Sequence, residues 1–331
     1  GDVDWRGRSV EDAFELPEHV WAAVREDGTV HVDLAADSSG QGHRTIVSQL
    51  LADELGIGPG DVEVAYRSSA GTPANYGAAA SRLAVMVSGA IAGVADELID
   101  GLERLAADVW DCDVADVAYR DGAIERLDGG SSLTLADLAA ADAERDGEST
   151  AAYYAYSEPS LEHPEFEEAI LRKLPSYTTT SYAADAVVVE VDVRTGAVDL
   201  LKFYSVRDCG TQLNPMIVEG QEHGGVAQGV GAALMEEFVY DADTGQPQAV
   251  TMFDYLLPSI DRVPEMAFEH TETPSPFTEN GAKGVGETGI TDAPAAIACS
   301  IQAALEPFDV VVDALPFTPD RVREKLRGAG E

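Results

Sequence analysis

The sequence has few basic residues, and lysine is the scarcer of the two main types. Only four of the 331 residues are lysines, and 60 acidic residues outnumber 21 lysines and arginines, which gives a formal net charge of -39. A charge of this size repels polyanions, so neither nucleic acid nor an anionic membrane is expected as a partner. The acidic excess is spread along the chain, which predicts a halophilic, haloarchaeal protein of the cytoplasm. An ordinary acidic protein is the alternative.

Cysteine and histidine are also scarce and scattered. Cys112, Cys209 and Cys299 stand far apart with no Cys-x-x-Cys pair, and the six histidines include no His-Glu-x-x-His motif. Iron–sulfur clusters and cysteine-rich zinc sites need several closely spaced ligands. No iron–sulfur cluster and no metal bound by side chains is therefore expected in this chain.

Long apolar runs are lacking as well. No stretch approaches the roughly 20 apolar residues that a membrane helix needs, and residues 1–7 contain neither a basic nor an apolar segment. Membrane insertion is therefore not expected. Hydrophobic residues still make up 45% of the chain, which suffices for a large core in one domain or two lobes.

Hydrophobic periodicity predicts an α+β fold made of two similar strand–helix lobes. In the first lobe we predict strands at 29–34 and 62–64, helices at 46–55 and 81–110, a hairpin at 114–127 and a short helix at 133–141. In the second we predict strands at 184–193, 197–206, 249–256 and 308–313, and helices at 219–236 and 294–305. The lobes are expected to span 1–140 and 178–331, with an acidic linker or surface excursion at 141–177.

Three polar sites flanked by glycines stand near predicted helix starts. They are Gly40-Gln41-Gly42, the run 220–225 around Gln221, and Gly284-Val285-Gly286-Glu287. Glycines let a ligand approach the backbone, a glutamine offers an amide donor and acceptor, and a helix start offers unpaired N–H groups. Each site also has an ordinary explanation. Gly-Gln-Gly suits a tight turn, and Glu287 suits a helix entry where an acid complements the dipole.

A fourth segment, Ala80-Ser81-Arg82, leads into the long helix predicted over 81–110. Ser81 is expected to serve as the N-cap or to contact an anion, and plain capping explains it as well as ligand binding does. The run 224–232 is rich in glycine and alanine, which weakens a helix but permits close packing. We therefore expect another element to press against the helix predicted over 219–236.

The longer motifs of the second half carry a resemblance to a known family. Residues 208–215, Asp-Cys-Gly-Thr-Gln-Leu-Asn-Pro, precede the run 220–225 and the run Gly-Val-Gly-Ala-Ala-Leu-Met-Glu-Glu at 229–237. Together they resemble the molybdopterin-binding large subunit of the xanthine oxidase family, which includes xanthine, aldehyde and aerobic carbon monoxide dehydrogenases. The order of the four motifs also matches, so the resemblance covers roughly residues 25–320.

This resemblance implies the C-terminal, cofactor-binding half of a molybdenum hydroxylase or dehydrogenase. The implied cofactor is molybdopterin, in its cytosine dinucleotide form, with molybdenum held by the sulfurs of the cofactor. Gln41 and Gln221 would contact the cofactor near the metal, and Glu287 would be the catalytic base of a hydroxylation that takes its oxygen from water. The remaining contacts implied for the cofactor come from Gly40, Gly42, Ala80, Ser81, Arg82, Gly284, Val285 and Gly286.

The resemblance also implies partners. The family's large subunit is longer than this chain, so its N-terminal half is expected on a separate polypeptide or on a part of the same protein that lies outside this sequence. Iron–sulfur and FAD subunits would carry electrons away, since three isolated cysteines cannot hold iron–sulfur clusters. The substrate would be a small molecule: an aldehyde, a purine, an N-heterocycle or carbon monoxide.

Two other interpretations stay open. The first is a non-catalytic molybdopterin-binding or assembly subunit that has lost turnover, which the missing first half favours and the presence of Glu287 and both glutamines disfavours. The second is a cofactor-free proton-transfer enzyme that uses Glu287. This last interpretation is the weakest, because no paired acid or base lies near Glu287 in the sequence.

Overall fold

The computed structural model describes residues 16–145, 149–157 and 179–328, and within them it confirms the predicted mixture of helix and sheet. Contacts within the chain group it into two compact units. The first comprises 1–180 and 274–284, and the second comprises 181–273 and 285–331. The third glycine-rich motif therefore crosses the boundary, because Gly284 belongs to the first unit and Val285 to the second.

The first unit is built on a four-stranded sheet and two long helices. The strands and helices of this unit are β1 (Glu18–Val24), β2 (Val30–Leu34), α1 (His43–Leu55), β3 (Val62–Tyr66), α2 (Leu83–Trp110), β4 (Val117–Arg120), β5 (Ala123–Arg126), β6 (Ser132–Thr134), α3 (Leu135–Ala143) and β7 (Ala151–Tyr156). The main sheet has the order β3-β2-β1-β7, and β4, β5 and β6 form a small antiparallel sheet.

Helix α2 lies against β1 and β7, and two glycines allow the close approach. A Cβ atom on Gly89 would lie 2.4 Å from the Tyr156 ring, and one on Gly93 would lie 2.3 Å from the Tyr154 ring. Both tyrosines belong to β7, which falls inside the segment 141–177 that we predicted as an acidic linker or surface excursion. For residues 151–156 this prediction is wrong, since they pair antiparallel with β1 at the sheet edge. Residues 158–178 lie outside the described part of the chain.

The second unit combines a three-stranded sheet with three helices. Its elements are β8 (Tyr182–Val191), β9 (Val198–Asp208), α4 (Pro215–Leu234), β10 (Glu265–His270), α5 (Thr288–Leu305) and α6 (Pro319–Gly328). Strand β9 lies between β8, which is antiparallel to it, and β10, which is parallel to it. Apolar side chains of α4 and α5, including Val226, Val230, Ile297 and Ile301, form the core of this unit with Phe203 of β9.

Two of the predicted strands do not form, and side-chain hydrogen bonds account for both errors. In 249–256, Asp254 accepts hydrogen bonds from the backbone and hydroxyl groups of Thr251, which folds this segment into turns. In 308–313, the Gln302 amide binds Val310 O and Val312 N and so occupies groups that a neighbouring strand would need. The sequence analysis also missed β10 and α6. No helix in the described ranges has the length and apolar character to cross a bilayer.

Candidate functional site

The first glycine-flanked motif forms the turn that enters α1. Gly40 and Gly42 have φ angles of 104° and 77°, which glycine adopts without strain. The side chain of Gln41 folds back within this turn. Its Oε1 accepts hydrogen bonds from Ser39 N at 2.6 Å and from Ser38 Oγ at 3.1 Å. Because the amide oxygen is used locally, the amide nitrogen is the group that Gln41 offers to a ligand.

The segment Ala80-Ser81-Arg82 has an unusual backbone. Ala80 and Ser81 have φ angles of 53° and 57°, a left-handed conformation that costs energy in residues other than glycine. Helix α2 begins at Leu83 with Arg82 as its N-cap. Of the two roles expected for Ser81, that of N-cap is wrong, because two successive left-handed residues bring the chain into the helix one residue later. The anion contact stays a prediction.

Ser81 instead meets the start of the third motif. A Cβ atom on Gly284 would lie 2.3 Å from Ser81 O and 2.8 Å from Ser81 Cβ, so a side chain at 284 would collide with backbone. Gly284 is required by this contact inside the first unit. Two segments predicted to contact one cofactor are thus in direct contact with each other.

Arg82 lies mostly inside the first unit. Its side chain is buried, Nη2 donates to Leu16 O at 3.4 Å, and the guanidinium stands 5.5 Å from the centre of the Tyr76 ring. Nearby, the buried Glu18 accepts a hydrogen bond from Ala36 N at 3.1 Å. Burial raises the pKa of Glu18 to about 7, although Ala36 N–H and the positive charge of Arg82 oppose this shift. The sequence analysis did not identify Glu18.

Glu287 is exposed and immediately precedes α5, which starts at Thr288 and not at residue 294 as predicted. Two threonines fix this turn. Thr288 Oγ1 donates to Val285 O at 3.0 Å, and the amide and hydroxyl of Thr291 donate to Glu287 O at 3.1 and 2.7 Å. The backbone that carries the carboxylate is therefore held by its own first helical turn.

Gln221 is joined directly to the Glu287 turn. Its Nε2, which projects from α4, donates a hydrogen bond of 2.7 Å to Gly286 O. The amide oxygen remains as the acceptor that Gln221 offers to a ligand. Around it, α4 presents an open surface, since a Cβ atom on Gly220 or Gly224 would meet no atom within 4 Å.

The glycine-rich part of α4 packs closely on α5, as predicted from its run of small residues. A Cβ atom on Gly225 would lie 2.8 Å from Gly289 Cα, and one on Gly229 would lie 2.6 Å from Ala293 Cβ. Such short distances require glycine at both positions of α4. The contact fixes the start of α5, and hence the residue after Glu287, against α4.

Burial holds the Cys209 thiol in an unreactive, protonated form. Cys112, Cys209 and Cys299 are all free, and burial raises the pKa of the Cys209 thiol to about 11, with Glu222 and Asp208 adding to the shift. A thiol with a raised pKa stays protonated and is a poor nucleophile. Among the described residues, no three His, Cys, Asp or Glu side chains are grouped as metal ligands.

Comparison with known proteins places this arrangement in a family. The family described as "Molybdopterin cofactor-binding domain" matches residues 6–264. The chain is 35% identical over 313 residues to the nicotine 6-hydroxylase large subunit of Paenarthrobacter nicotinovorans, covering 94% of this chain and 37% of that protein. It is 29% identical over 329 residues to the carbon monoxide dehydrogenase large chain of Hydrogenophaga pseudoflava, covering 98% and 38%.

A solved structure agrees with these sequence matches. Quinoline 2-oxidoreductase from Pseudomonas putida 86 superposes with a TM-score of 0.79 and 32% identity, over 94% of this chain and 38% of that one. The chain thus spans less than two fifths of the length of each of these three relatives. The family match covers most of the sequence and the structural match nearly all of it, so the chain belongs to the molybdopterin cofactor-binding domains of the xanthine oxidase family.

Proposed function

We propose that this chain is the molybdopterin-binding part of a molybdenum-dependent oxidoreductase that hydroxylates or dehydrogenates a small molecule. The observation that carries the proposal is the hydrogen bond of 2.7 Å from Gln221 Nε2 to Gly286 O, which fastens the turn bearing Glu287 to the open surface of α4. A carboxylate beside an amide and exposed backbone combines a proton acceptor with ligand-binding groups.

The groups present suit molybdopterin as the ligand. In the first unit, Gln41 offers an amide nitrogen, and no protein atom lies within 4 Å of a Cβ position on Gly40. In the second unit, Gln221 offers an amide oxygen, and the Cβ positions of Gly220 and Gly224 are equally open. Amide donors and acceptors with open backbone fit a large polar cofactor held by hydrogen bonds. When bound, this cofactor would supply a molybdenum centre for oxidation by two electrons. For the nucleotide we propose cytosine, and release of CMP on acid treatment of the holoprotein would test it.

In this function, Glu287 would be the base. Its carboxylate would take the proton released when water provides the oxygen atom, and its exposed position gives it access to a ligand. Thr288 and Thr291 would hold the backbone of Glu287, and Gln221 would orient the preceding peptide. Within the first unit, we propose the Ala80-Ser81-Arg82 segment and Gly284 as cofactor contacts.

For the substrate we propose an N-heterocycle. Both relatives described above that exceed 30% identity are named for such molecules, nicotine and quinoline. Purines, aldehydes and carbon monoxide are the competing classes. Turnover assays of the assembled enzyme with quinoline, hypoxanthine, benzaldehyde and carbon monoxide would decide, and preference for any of the last three would contradict the proposal.

Replacing Glu287 by Gln tests the mechanism. Glu287→Gln keeps the shape and polarity of the side chain but removes the proton acceptor, so the assembled enzyme should keep its molybdenum and lose turnover by roughly 100-fold or more. Molybdenum content and kcat are the measurements. Glu306→Gln, at the other end of α5, is the matched control and should have normal turnover. Activity of Glu287→Gln within a few-fold of the natural enzyme would remove Glu287 from the role of base.

We also propose that the active enzyme includes the rest of the large subunit, an iron–sulfur subunit and an FAD subunit. Support comes from the relatives, which are named as large subunits or chains, and from the segment 250–260 of this chain, where Phe253 and Ile260 are 96% and 94% exposed. Large exposed apolar side chains in one segment are typical of a protein–protein interface. Purification of the natural complex followed by iron, flavin and molybdenum analysis tests this composition. A complex with molybdenum and turnover but without iron or flavin would contradict it.

A further inference from the structure

Arg207 of β9 has the largest side chain among the fully buried residues in the described ranges, with 1% of its surface exposed. Its guanidinium connects three elements of the second unit. Nη2 lies 3.3 Å from Asp185 Oδ1 on β8 and 3.4 Å from Asp292 Oδ1 in α5, and Nε lies 3.9 Å from Glu222 Oε1 in α4. One cation in the sheet therefore reaches carboxylates on both helices that carry the candidate site.

Two of these carboxylates stand very close in sequence to the candidate site. Glu222 directly follows Gln221, and Asp292 lies one helical turn beyond Thr288, the residue after Glu287. Gln221 and Glu222 leave α4 in different directions, so the first reaches Gly286 O while the second enters the buried cluster. Movement of either helix start relative to β9 would therefore lengthen the Gln221–Gly286 hydrogen bond as well as the contacts of Arg207.

The cluster is poorly satisfied. Glu222 is fully buried and both of its carboxylate oxygens lack a hydrogen bond, as do Nε and Nη1 of Arg207 and Nδ1 of His270. His270 Nε2 lies 3.4 Å from Glu222 Oε2, and the two form an ion pair only when the ring is protonated. Burial raises the pKa of Glu222 to about 7 and also raises that of Asp185. These carboxylates therefore hold protons more readily than exposed ones do.

Such a cluster is a poor source of stability. Desolvation of buried charges offsets much of their attraction, and well-packed apolar side chains of similar size often stabilise a protein as much or more. Unsatisfied buried atoms add a further cost. What the cluster provides is a link from β9 to two helices, through a hydrogen bond from Arg207 to Asp292 and an ion pair of Arg207 with Glu222.

We propose that Arg207 is a positioning residue that, through Glu222 and Asp292, holds the starts of α4 and α5 so that the Gln221 amide and the Glu287 turn stay in register. This inference rests on the proposed function for its catalytic consequence, because that consequence requires Glu287 to be the base. The positioning of the turn is a property of the second unit and has its own measurement.

The decisive variants remove one carboxylate and keep the cation. Asp292→Asn weakens the link to α5, and Glu222→Gln weakens the link to α4; Glu219→Gln, on the exposed side of α4, is the matched control. Arg207→Met is less useful, since it leaves three carboxylates without their cation and endangers folding. Arg207→Lys keeps the charge but replaces the planar guanidinium by a single nitrogen, which cannot occupy the positions of both Nη2 and Nε.

The first measurement is hydrogen–deuterium exchange of the segment 285–291 in the full-length protein. In Asp292→Asn and Glu222→Gln, exchange of this segment should rise several-fold while exchange in the centre of the core helices α2 and α5 stays unchanged. The second measurement is steady-state kinetics of the assembled enzyme. Here kcat should fall about tenfold with molybdenum content unchanged and KM within about twofold, because misplacement of the base affects the chemical step. Arg207→Lys should show both effects, and Glu219→Gln neither.

The outcomes separate the two proposals. Unchanged exchange at 285–291 in both carboxylate variants would overturn the positioning role, whatever the kinetics. A uniform rise of exchange throughout the second unit, with loss of molybdenum, would also overturn it and make Arg207 a purely structural residue. If exchange rises locally but the natural enzyme itself shows neither molybdenum nor turnover, the positioning role stands and the proposed function fails.

Discussion

Glu18 shows what burial does to a single carboxylate in this acidic chain. The side chain has 3% of its surface exposed, lies between Ala36 N–H and the charge of Arg82, and still has its pKa raised from 4.5 to about 7. Desolvation of the carboxylate therefore outweighs its hydrogen bond and the nearby cation. Because Ala36 leads into the Gln41 turn and Arg82 follows Ser81, Glu18 interacts with residues next to both segments of the first unit that are proposed to bind the cofactor.

This shift predicts a specific dependence of stability on pH. Between pH 4.5 and pH 7 the folded protein keeps the proton on Glu18, whereas the unfolded chain releases it. The free energy of unfolding should therefore fall as the pH rises through this window, by up to about 3 kcal/mol from this residue. Urea denaturation at constant ionic strength measures it. Glu18→Gln, which cannot titrate, should give a flatter curve, while Glu26→Gln at an exposed site should follow the natural protein. Parallel curves for all three would contradict the raised pKa.

Sequence reasoning proposed the glycine-flanked segments and the buried Arg82, and it missed two other buried charges, Glu18 and Arg207. Glu18 has the same strand parity as Val20 and Ala22, and Arg207 has the same parity as Phe203, so both occupy inward positions. The alternation of inward and outward side chains along a strand could have marked these positions as buried. It could not have named the partners, since Ala36, Glu222 and Asp292 are brought close only by tertiary packing.

At the scale of elements, the packing of α4 on α5 depends on Gly225, whose neighbour Gly224 lies on the open side of the helix. A Cβ atom added to Gly225 would lie 2.8 Å from Gly289 Cα, whereas a Cβ atom added to Gly224 would have no other atom within 4 Å. The two adjacent residues thus have the same helical backbone and opposite surroundings. Their comparison separates the effect of a side chain in the contact from the effect of glycine on helix formation.

We expect Gly225→Ala to lower the free energy of unfolding by about 1 to 3 kcal/mol, because the new methyl group forces the helix starts apart. Gly224→Ala should leave stability unchanged or raise it by up to about 1 kcal/mol through better helix propensity. Urea denaturation of both variants in one buffer gives the difference. Equal stabilities for the two variants would show that α4 and α5 do not approach as closely as described.

Helices and strands were predicted well where hydrophobic periodicity alone determines the element. They were predicted poorly where hydrogen bonds of single polar side chains determine the backbone conformation. Helix α2 was expected over 81–110 and forms over Leu83–Trp110, since its apolar positions recur at helical spacing for seven turns. The strand expected at 308–313 fails because Gln302 of α5 binds its backbone. The sequence does not distinguish a glutamine that makes two hydrogen bonds to a neighbouring backbone from a glutamine on the surface.

At the scale of the whole molecule, the net charge of -39 acts on stability as well as on partner choice. Glu54 shows the effect locally: burial raises its pKa, and the negative charges of Asp96, Asp53 and Glu279 raise it further. Salt screens repulsion of this kind between exposed groups. The screening length is about 10 Å at 0.1 M salt and about 3 Å at 1 M salt, so the repulsion is much weaker at the higher concentration.

We therefore expect the free energy of unfolding to rise as KCl increases from 0.1 M to molar concentrations, which is what the hypothesis of a halophilic protein predicts. Asp96→Lys, on the exposed side of α2 next to Glu54, removes one repulsion and adds an attraction, so it should raise the urea midpoint at low salt and have little effect at high salt. Asp128→Lys, which breaks an existing ion pair with Arg126, is the control and should not stabilise the protein at low salt. A urea midpoint of the natural protein that is equal at both salt concentrations would identify it as an ordinary acidic protein, since self-repulsion would then make no measurable contribution to its stability.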